Sequence, residues 1–229
     1  MQCVIVCAGK GTRMSPLTNT CPKPLIHVGG KPIIQHIVEA LPEEIDELVL
    51  IVGYLKEQII ATCGETYLGR KVIYREQENH AGGTGDALLC ARDVLKDTFL
   101  FMYGDDIHGS ETLAQAVQSD YAILSAHSAT PERYGVLVLN GDGTLSAILE
   151  KPENPPSNLI NIGGFVIDAS IFEYTTSKSS SGELYVTDML TQFAQHNPVT
   201  VFEQKLWIPL GYPEDIGKAE EILKAMGRL

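Results

Sequence analysis

Positive charge is scarce in this 229-residue chain. Its 17 Lys and Arg stand against 29 Asp and Glu, for a formal net charge of −12. A field of that sign repels nucleic acid and anionic membranes, so neither is expected as a partner. Cysteine motifs are missing too. Cys3, Cys7, Cys21, Cys63 and Cys90 form no Cys-x-x-Cys pair and no Cys/His ligand spacing, and an odd number cannot complete a disulfide framework. They read as small buried apolar residues. No apolar run approaches the ~20 residues of a bilayer span. The start, Met1-Gln2-Cys3-Val4, lacks a signal peptide's basic region and reads as a strand, so a cytoplasmic location is expected. The common nucleotide loops are absent as well: there is no Gly-x-x-x-x-Gly-Lys-Ser/Thr, and Met14 stands where a dinucleotide loop needs its third glycine.

What is present is a soluble composition, 44% hydrophobic with a mean hydropathy of +0.02. The length suits one α/β domain with a substantial core, and residues 1–229 are taken as one domain with no long linker. Strands are expected at 4–7, 47–52, 72–74 and 98–103, and helices at 33–41, 55–63 and 84–94. The helix at 33–41 shows its period in apolar residues 33, 34, 37, 38 and 41. This βαβαβαβ series with near-continuous apolar strands is the pattern of a Rossmann-like, mostly parallel sheet flanked by helices. The second half differs. A hairpin is expected at 134–139 and 145–149 around Asn140-Gly141-Asp142-Gly143, then a Pro-rich loop at 151–158 and a strand at 160–167. A Ser-rich mobile loop at 177–182 precedes a helix near 188–196, a strand at 199–202 and a last helix at 213–226. That is an α/β fold with a small mixed β part.

The most informative stretch joins the strand Val4-Ile5-Val6 to Cys7-Ala8-Gly9-Lys10-Gly11-Thr12-Arg13-Met14, with Cys21-Pro22-Lys23-Pro24-Leu25 ten residues on. Glycines at 9 and 11 let backbone N–H groups approach a ligand closely, an arrangement suited to phosphate oxygens. Arg13 can fork onto those oxygens and Lys23 adds a compact charge. A tight turn with two surface cations is the plain alternative. Asp105, after the strand at 98–103, is a carboxylate at a strand end, a natural Mg²⁺ ligand beside phosphates. Ligands usually sit at such carboxyl ends.

Gly9-Lys10-Gly11-Thr12-Arg13-Met14, with Pro16-Leu17-Thr18 and Pro22-Lys23-Pro24-Leu25, resembles the N-terminal motif of the sugar-1-phosphate nucleotidylyltransferases. Further pieces follow in the family's order. Gln77 and Gly82-Gly83-Thr84-Gly85 resemble its base-recognition segment, although the loop is one residue longer than usual. Arg133-Tyr134-Gly135-Val136, Glu150-Lys151-Pro152 and Asn161-Ile162-Gly163-Gly164-Phe165 resemble its sugar-side elements. The resemblance implies a nucleotide-binding half (1–110) and a sugar-binding half (111–229). It implies a triphosphate held by Ala8, Gly9, Gly11, Thr12 and Arg13, a base at Gln77, Gly83 and Thr84, and Lys23 at the α-phosphate. It also implies a sugar phosphate at Gly135, Glu150, Lys151 and Asn161, with Mg²⁺ on Asp105. His80 reads as a surface histidine, Asp106 as structural, and Glu183 with Thr187-Asp188 as structural support.

One departure stands out. The family's C-terminal Trp-x-Asp-x-Gly-Thr, whose aspartate is the second metal ligand, is here Trp207-Ile208-Pro209-Leu210-Gly211-Tyr212. The implied reaction joins a nucleoside triphosphate, UTP or dTTP first, to a sugar 1-phosphate, releasing pyrophosphate. Glucose 1-phosphate or a 2-acetamido sugar phosphate is the first-choice acceptor. Guanylyl transfer to a mannose- or heptose-type phosphate, cytidylyl transfer to a phospho-alcohol, and a non-catalytic nucleotide-sugar sensor are the alternatives. With the chain ending at Leu229, the β-helical acyltransferase tail of some relatives is expected to be absent. A homo-oligomer is left open.

Overall fold

The computed structural model describes residues 1–176 and 182–229. Strand β1 (Gln2–Val6) runs into three single 3-10 turns, Thr12–Met14, Leu17–Asn19 and Lys23–Leu25, and then the small hairpin of β2 (His27–Val28) and β3 (Lys31–Pro32). Next come α1 (Ile33–Ala40), β4 (Glu47–Val52), α2 (Lys56–Cys63), β5 (Thr66–Tyr67), β6 (Arg70–Glu76), α3 (Gly83–Leu89) and β7 (Thr98–Tyr103). The second half holds β8 (Ile107–His108), α4 (Ser110–Ala116), β9 (Ala122–His127), β10 (Gly135–Leu139), β11 (Leu145–Glu150) and β12 (Leu159–Asp168). It closes with α5 (Val186–Ala194), β13 (Thr200–Glu203), β14 (Trp207–Ile208) and α6 (Glu214–Ala225).

Strands β7, β1, β4 and β6 lie side by side and parallel, so their carboxyl ends form one edge. Their near-unbroken apolar sequence follows from being covered on both faces. Alternation along each strand splits the core in two. Cys3, Ile5, Leu48, Leu50, Leu100 and Met102 meet Ile33, Ile34, Ile37 and Val38 of α1 and Leu223 of α6 on one face. Val4, Val49, Ile51, Phe99 and Phe101 meet Ala87 and Leu88 of α3 and Met189, Leu190 and Phe193 of α5 on the other. Each fully buried Ile, Leu or Phe contributes about 1.5–3 kcal/mol. Helix α1 stops where Pro42 disfavours helical backbone at Leu41.

Strand β12 joins the two halves. Its C-terminal part pairs antiparallel with β7, from Gly164 opposite Met102 to Asp168 opposite Thr98. Its start pairs with β9 and, through Ile160 opposite Val136, with β10 of the expected hairpin. The register against β9 slips between Asn161 and Phe165. There Gly163 takes φ +81° and its N–H donates to Asn161 Oδ1 at 2.8 Å. A Cβ on Gly163 would lie 2.0 Å from the Tyr103 ring, so glycine is required. The bulge turns the first part of β12, with Asn161, toward the carboxyl edge.

The expected mostly parallel sheet flanked by helices is the observed architecture. Several boundaries differ. The helix expected at 84–94 ends at Leu89 and continues as turns, and α5 begins two residues before the expected 188. Strand β9 and helix α4 were not expected; β9 is fixed by partners distant in sequence, β12 and β13. The Ser-rich loop at 177–182 lies, apart from Gly182, outside the described residues.

Candidate active site

The glycine turn leaves β1 at the carboxyl edge. Gly11 sits at φ +60°, its carbonyl accepts from Thr18 Oγ1 at 2.9 Å, and a Cβ there would lie 3.0 Å from Thr18 Cγ2. Gly9 is exposed, and even a Cβ on it would meet nothing within 4 Å, so its backbone is open to a ligand. Thr12 and Arg13 are exposed, and the Arg13 guanidinium lies 5.8 Å from the Tyr212 ring centroid. Lys23 is different: it is buried at 7% exposure, and its Nζ donates to Asp105 Oδ2 at 2.8 Å.

Asp105 and Asp106 follow β7 through Gly104, where a Cβ would lie 2.4 Å from the Val6 carbonyl oxygen. Burial pushes Asp105 up, but Lys23 and Arg13 outweigh it and hold the carboxyl below its ordinary range. Burial, with the Asp105 charge, pushes Asp106 up to about 7. Asp106 accepts from Trp207 Nε1 at 2.9 Å and from the Leu210 N–H at 3.0 Å, fastening the segment that carries Pro209 against the end of β7. This agrees with a structural role. Asp215, at the start of α6, accepts from the Gly211 and Tyr212 N–H groups.

Where a base was expected, Gln77 is buried at 3% exposure and does not line the cleft. Its Nε2 donates to the Gly83 carbonyl at 3.0 Å and to Asp86 Oδ2 at 2.8 Å, so both amide hydrogens are engaged. Gly83, at φ +85°, packs so closely on Leu184 that a Cβ would lie 2.4 Å from the Leu184 oxygen. Thr84 Oγ1 accepts from the Val186 N–H at 3.1 Å. The start of α3 is thereby stitched to the start of α5, one from each half. His80 is exposed, with Nδ1 3.1 Å from the Gln77 oxygen.

On the opposite side, Gly135 lies across from Glu150 in the β10–β11 ladder, and a Cβ on it would meet Glu150 Oε2 at 3.1 Å. Burial raises the Glu150 carboxyl despite Lys151, and Glu150 Oε2 accepts from Thr187 Oγ1 at 3.3 Å. Lys151 adopts φ +46°, a backbone that costs a side-chain-bearing residue about 1–2 kcal/mol. Its N–H donates to the Tyr134 oxygen at 3.0 Å, and its Nζ lies 3.9 Å from Glu150 Oε1 and 5.6 Å from the Tyr185 ring centroid. Non-glycine residues held there often sit at functional sites.

These groups line one cleft of about 790 Å³. Gly9, Gly11, Thr12, Arg13, Lys23 and Asp105 line it from one side, Gly83 and Thr84 join them, and Glu150, Lys151 and Asn161 face in from the other. Ala8, Gln77 and Gly135 lie outside its lining; all three are buried behind it. Tyr103, Arg133, Tyr185 and Tyr212, to which the sequence motifs give no role, also line it. Arg133 Nη2 donates to Tyr212 Oη at 2.8 Å, bridging the two sides.

Among the described residues no three His, Cys, Asp or Glu side chains are arranged to hold a metal ion. Pro209 lines the cleft where the second carboxylate was expected, and Asp105 is paired with Lys23. This donor set does not amount to a divalent-cation site made by the protein alone.

A carboxyl-edge cleft with a glycine turn and cations on both sides defines an α/β protein whose site could receive phosphorylated ligands. Comparison sharpens this: residues 2–229 match the family model for nucleotidyl transferases, and the chain belongs to that family. It is 37% identical over 227 residues to the bifunctional protein GlmU of Methanocaldococcus jannaschii, a match covering 98% of this chain and 53% of that protein. It is 34% identical over 237 residues to the UTP–glucose-1-phosphate uridylyltransferase AglF of Haloferax volcanii, covering 98% and 97%. A Bacillus anthracis structure assigned as a glucose-1-phosphate thymidylyltransferase superposes with a TM-score of 0.86 at 26% identity, covering 100% of this chain and 95% of that one. The chain spans about half the length of the GlmU relatives it matches. No helix among the described residues is long and apolar enough to cross a membrane.

Proposed function

We propose that this chain transfers a nucleotidyl group from a nucleoside triphosphate to a sugar 1-phosphate, releasing pyrophosphate. The observation that carries it is one cleft with phosphate-directed groups on both sides, Arg13 and Lys23 with the glycine turn on one and Lys151 on the other. The sugar phosphate oxygen attacks the α-phosphorus in line, so no protein nucleophile is required and the work is positioning and charge neutralisation. Arg13 and the backbone of residues 8–12 hold the triphosphate and the leaving pyrophosphate. Lys23, at the cleft floor, meets charge growing on the α-phosphate. Glu150 and Asn161 orient the sugar, and Lys151 seats its phosphate. The two substrates thus approach from the 1–110 and 111–229 halves of one domain.

The base was expected at Gln77. That residue is buried behind the cleft with both N–H donors spent on Gly83 and Asp86, so it supports the loop that would meet the base instead of reading the base itself. The uridylyltransferase relative supports UTP first. The expected Mg²⁺ would supply charge neutralisation when bound at Asp105 beside the phosphates. A cytoplasmic location suits substrates of this kind. Pro209 favours one rival, a nucleotide-sugar sensor without turnover. A pyrophosphate-release assay over four triphosphates and a panel of sugar 1-phosphates decides between them. Turnover with UTP or dTTP is expected; binding without turnover on every pair would leave the sensor.

A further inference from the structure

Two guanidinium groups from distant parts of the chain reach one aromatic ring in the cleft. Arg13, in the glycine turn, lies 5.8 Å from the Tyr212 ring centroid, and Arg133 lies 5.6 Å from it. Arg133 also donates from Nη2 to Tyr212 Oη at 2.8 Å. All three residues line the cleft. The backbone carrying the ring is held, because Asp215 accepts from the Gly211 and Tyr212 N–H groups at 3.0 and 2.9 Å. The residue after Arg133 makes a second contact with the same segment: the Tyr134 ring meets Trp207 edge-on at 5.8 Å. Arg133 is exposed, yet it is presented from an anchored backbone.

In a chain with a net charge of −12, a cation has many carboxylates to choose from. Arg75 forks onto Asp93 at 2.9 and 2.7 Å, and Arg70 donates to the Leu41, Pro42 and Ile45 carbonyls. Arg13 and Arg133 form no ion pair with a carboxylate among the described residues, although carboxylates line the same cleft. Those acids are engaged elsewhere: Asp105 by Lys23, Asp106 by Trp207 and Leu210, Asp215 by backbone N–H groups and Lys218. Two like charges gathered at one ring repel, and their contact with the ring face offsets this only in part. An anion facing both turns the repulsion into attraction. It needs more than one negative charge and oxygens for two planar forks of N–H donors, which a diphosphate has.

Resting on the nucleotidyl-transfer reading, we propose that Arg133 is a second phosphate-binding guanidinium, which Tyr212 positions beside Arg13 so that the pair grips the β- and γ-phosphates of the triphosphate and then the pyrophosphate. The pyrophosphoryl group, whether still on the nucleotide or free, is the ligand of this subsite. Lys23 is left to the α-phosphate and Lys151 to the sugar phosphate.

The test titrates the full chain with inorganic pyrophosphate, and with orthophosphate for comparison, by calorimetry in magnesium-containing buffer. Wild type is expected to bind pyrophosphate more tightly than orthophosphate. Arg133→Gln should weaken pyrophosphate binding at least about tenfold, the lower end for a lost charge-assisted contact, and Arg133→Lys should recover part of it. Tyr212→Leu, which removes the ring and the hydroxyl, should weaken it as well; thermal melts report whether each variant folds. In turnover, Arg133→Gln should raise KM for the triphosphate and leave KM for the sugar 1-phosphate unchanged. Pyrophosphate binding by Arg133→Gln equal to wild type overturns the proposal, as does a rise confined to KM for the sugar 1-phosphate. A folded Tyr212→Leu that binds pyrophosphate like wild type overturns the positioning by Tyr212. Should no pair of substrates turn over while pyrophosphate binding still depends on Arg133, the nucleotidyl-transfer reading fails and the diphosphate subsite stands.

Discussion

Lys151 offers a sharp separation of function from stability. Its φ of +46° is a left-handed backbone that disfavours any residue with a Cβ by about 1–2 kcal/mol. Lys151→Gly and Lys151→Ala both delete the ammonium, and both lose its pairing with Glu150 Oε1 at 3.9 Å, a half-exposed contact of at most about 1 kcal/mol. They differ in the backbone alone. Alanine keeps the strain, whereas glycine relieves it and loses part of the gain to unfolded-state entropy, about 0.5–1 kcal/mol. The glycine variant should therefore be the more stable by about 1 kcal/mol, or roughly 2–4 °C in Tm for a chain of this size. Activity should fall alike in both. A charge-assisted hydrogen bond to phosphate is about 1.5–3 kcal/mol, which corresponds to a rise of roughly 10–100-fold in KM for the sugar phosphate. Thermal melts and initial-rate kinetics on the two variants check this. A Lys151→Gly protein melting at or below Lys151→Ala would refute the strain, and an unchanged KM would refute the seat for the sugar phosphate.

Arg13→Ala should cut kcat/KM by at least about tenfold, the lower end for a lost charge-assisted contact, while melting within a few degrees of wild type because Arg13 is exposed. Near wild-type turnover would remove Arg13 from the mechanism. His108 is buried with neither ring nitrogen partnered among the described residues, so His108→Leu is expected to raise stability by about 1–2 kcal/mol in urea titrations at neutral pH. Burial also holds the folded imidazole down at about 4, below its ordinary 6.5. The unfolded chain therefore takes up the proton first, and stability falls as pH drops from about 6.5 toward 4. The leucine variant should show a shallower acid slope over that window; identical slopes would show that His108 is not the group titrating. Gly163→Ala must put a Cβ at φ +81° and 2.0 Å from the Tyr103 ring. A loss of about 2–4 kcal/mol is expected from backbone strain and overpacking together. A melt unchanged from wild type would mean the bulge in β12 is not constrained as described.

Much of this protein was legible one residue after another. The strands β1, β4 and β7 declare themselves as short apolar runs, and α1 by its apolar spacing, because a core buried on both faces writes itself into local pattern. The glycine turn, Arg13 and Lys23 were readable as cleft-lining residues for a similar reason: they are neighbours in the chain. Strand β9 was not, since its place depends on β12 and β13, more than 30 residues away at the nearest ladder partner. The direction of Gln77 was not either. Its amide faces Gly83 and Asp86 of α3 and not the cleft, and the residue type at 77 does not say which way the side chain turns.

The sequence by itself thus determined a glycine-rich turn at the head of a parallel sheet, the order of the motifs that follow it, and a proline at position 209. Those are properties of residue type and spacing. Tertiary structure alone decided that Lys23 and Asp105, 82 residues apart, form a pair at 2.8 Å, that Asp106 is spent on Trp207 and Leu210, and that Lys151 is held in a left-handed backbone across the cleft. Which charge meets which depends on strands being laid side by side and a bulge turning one of them, and no single stretch of chain encodes that.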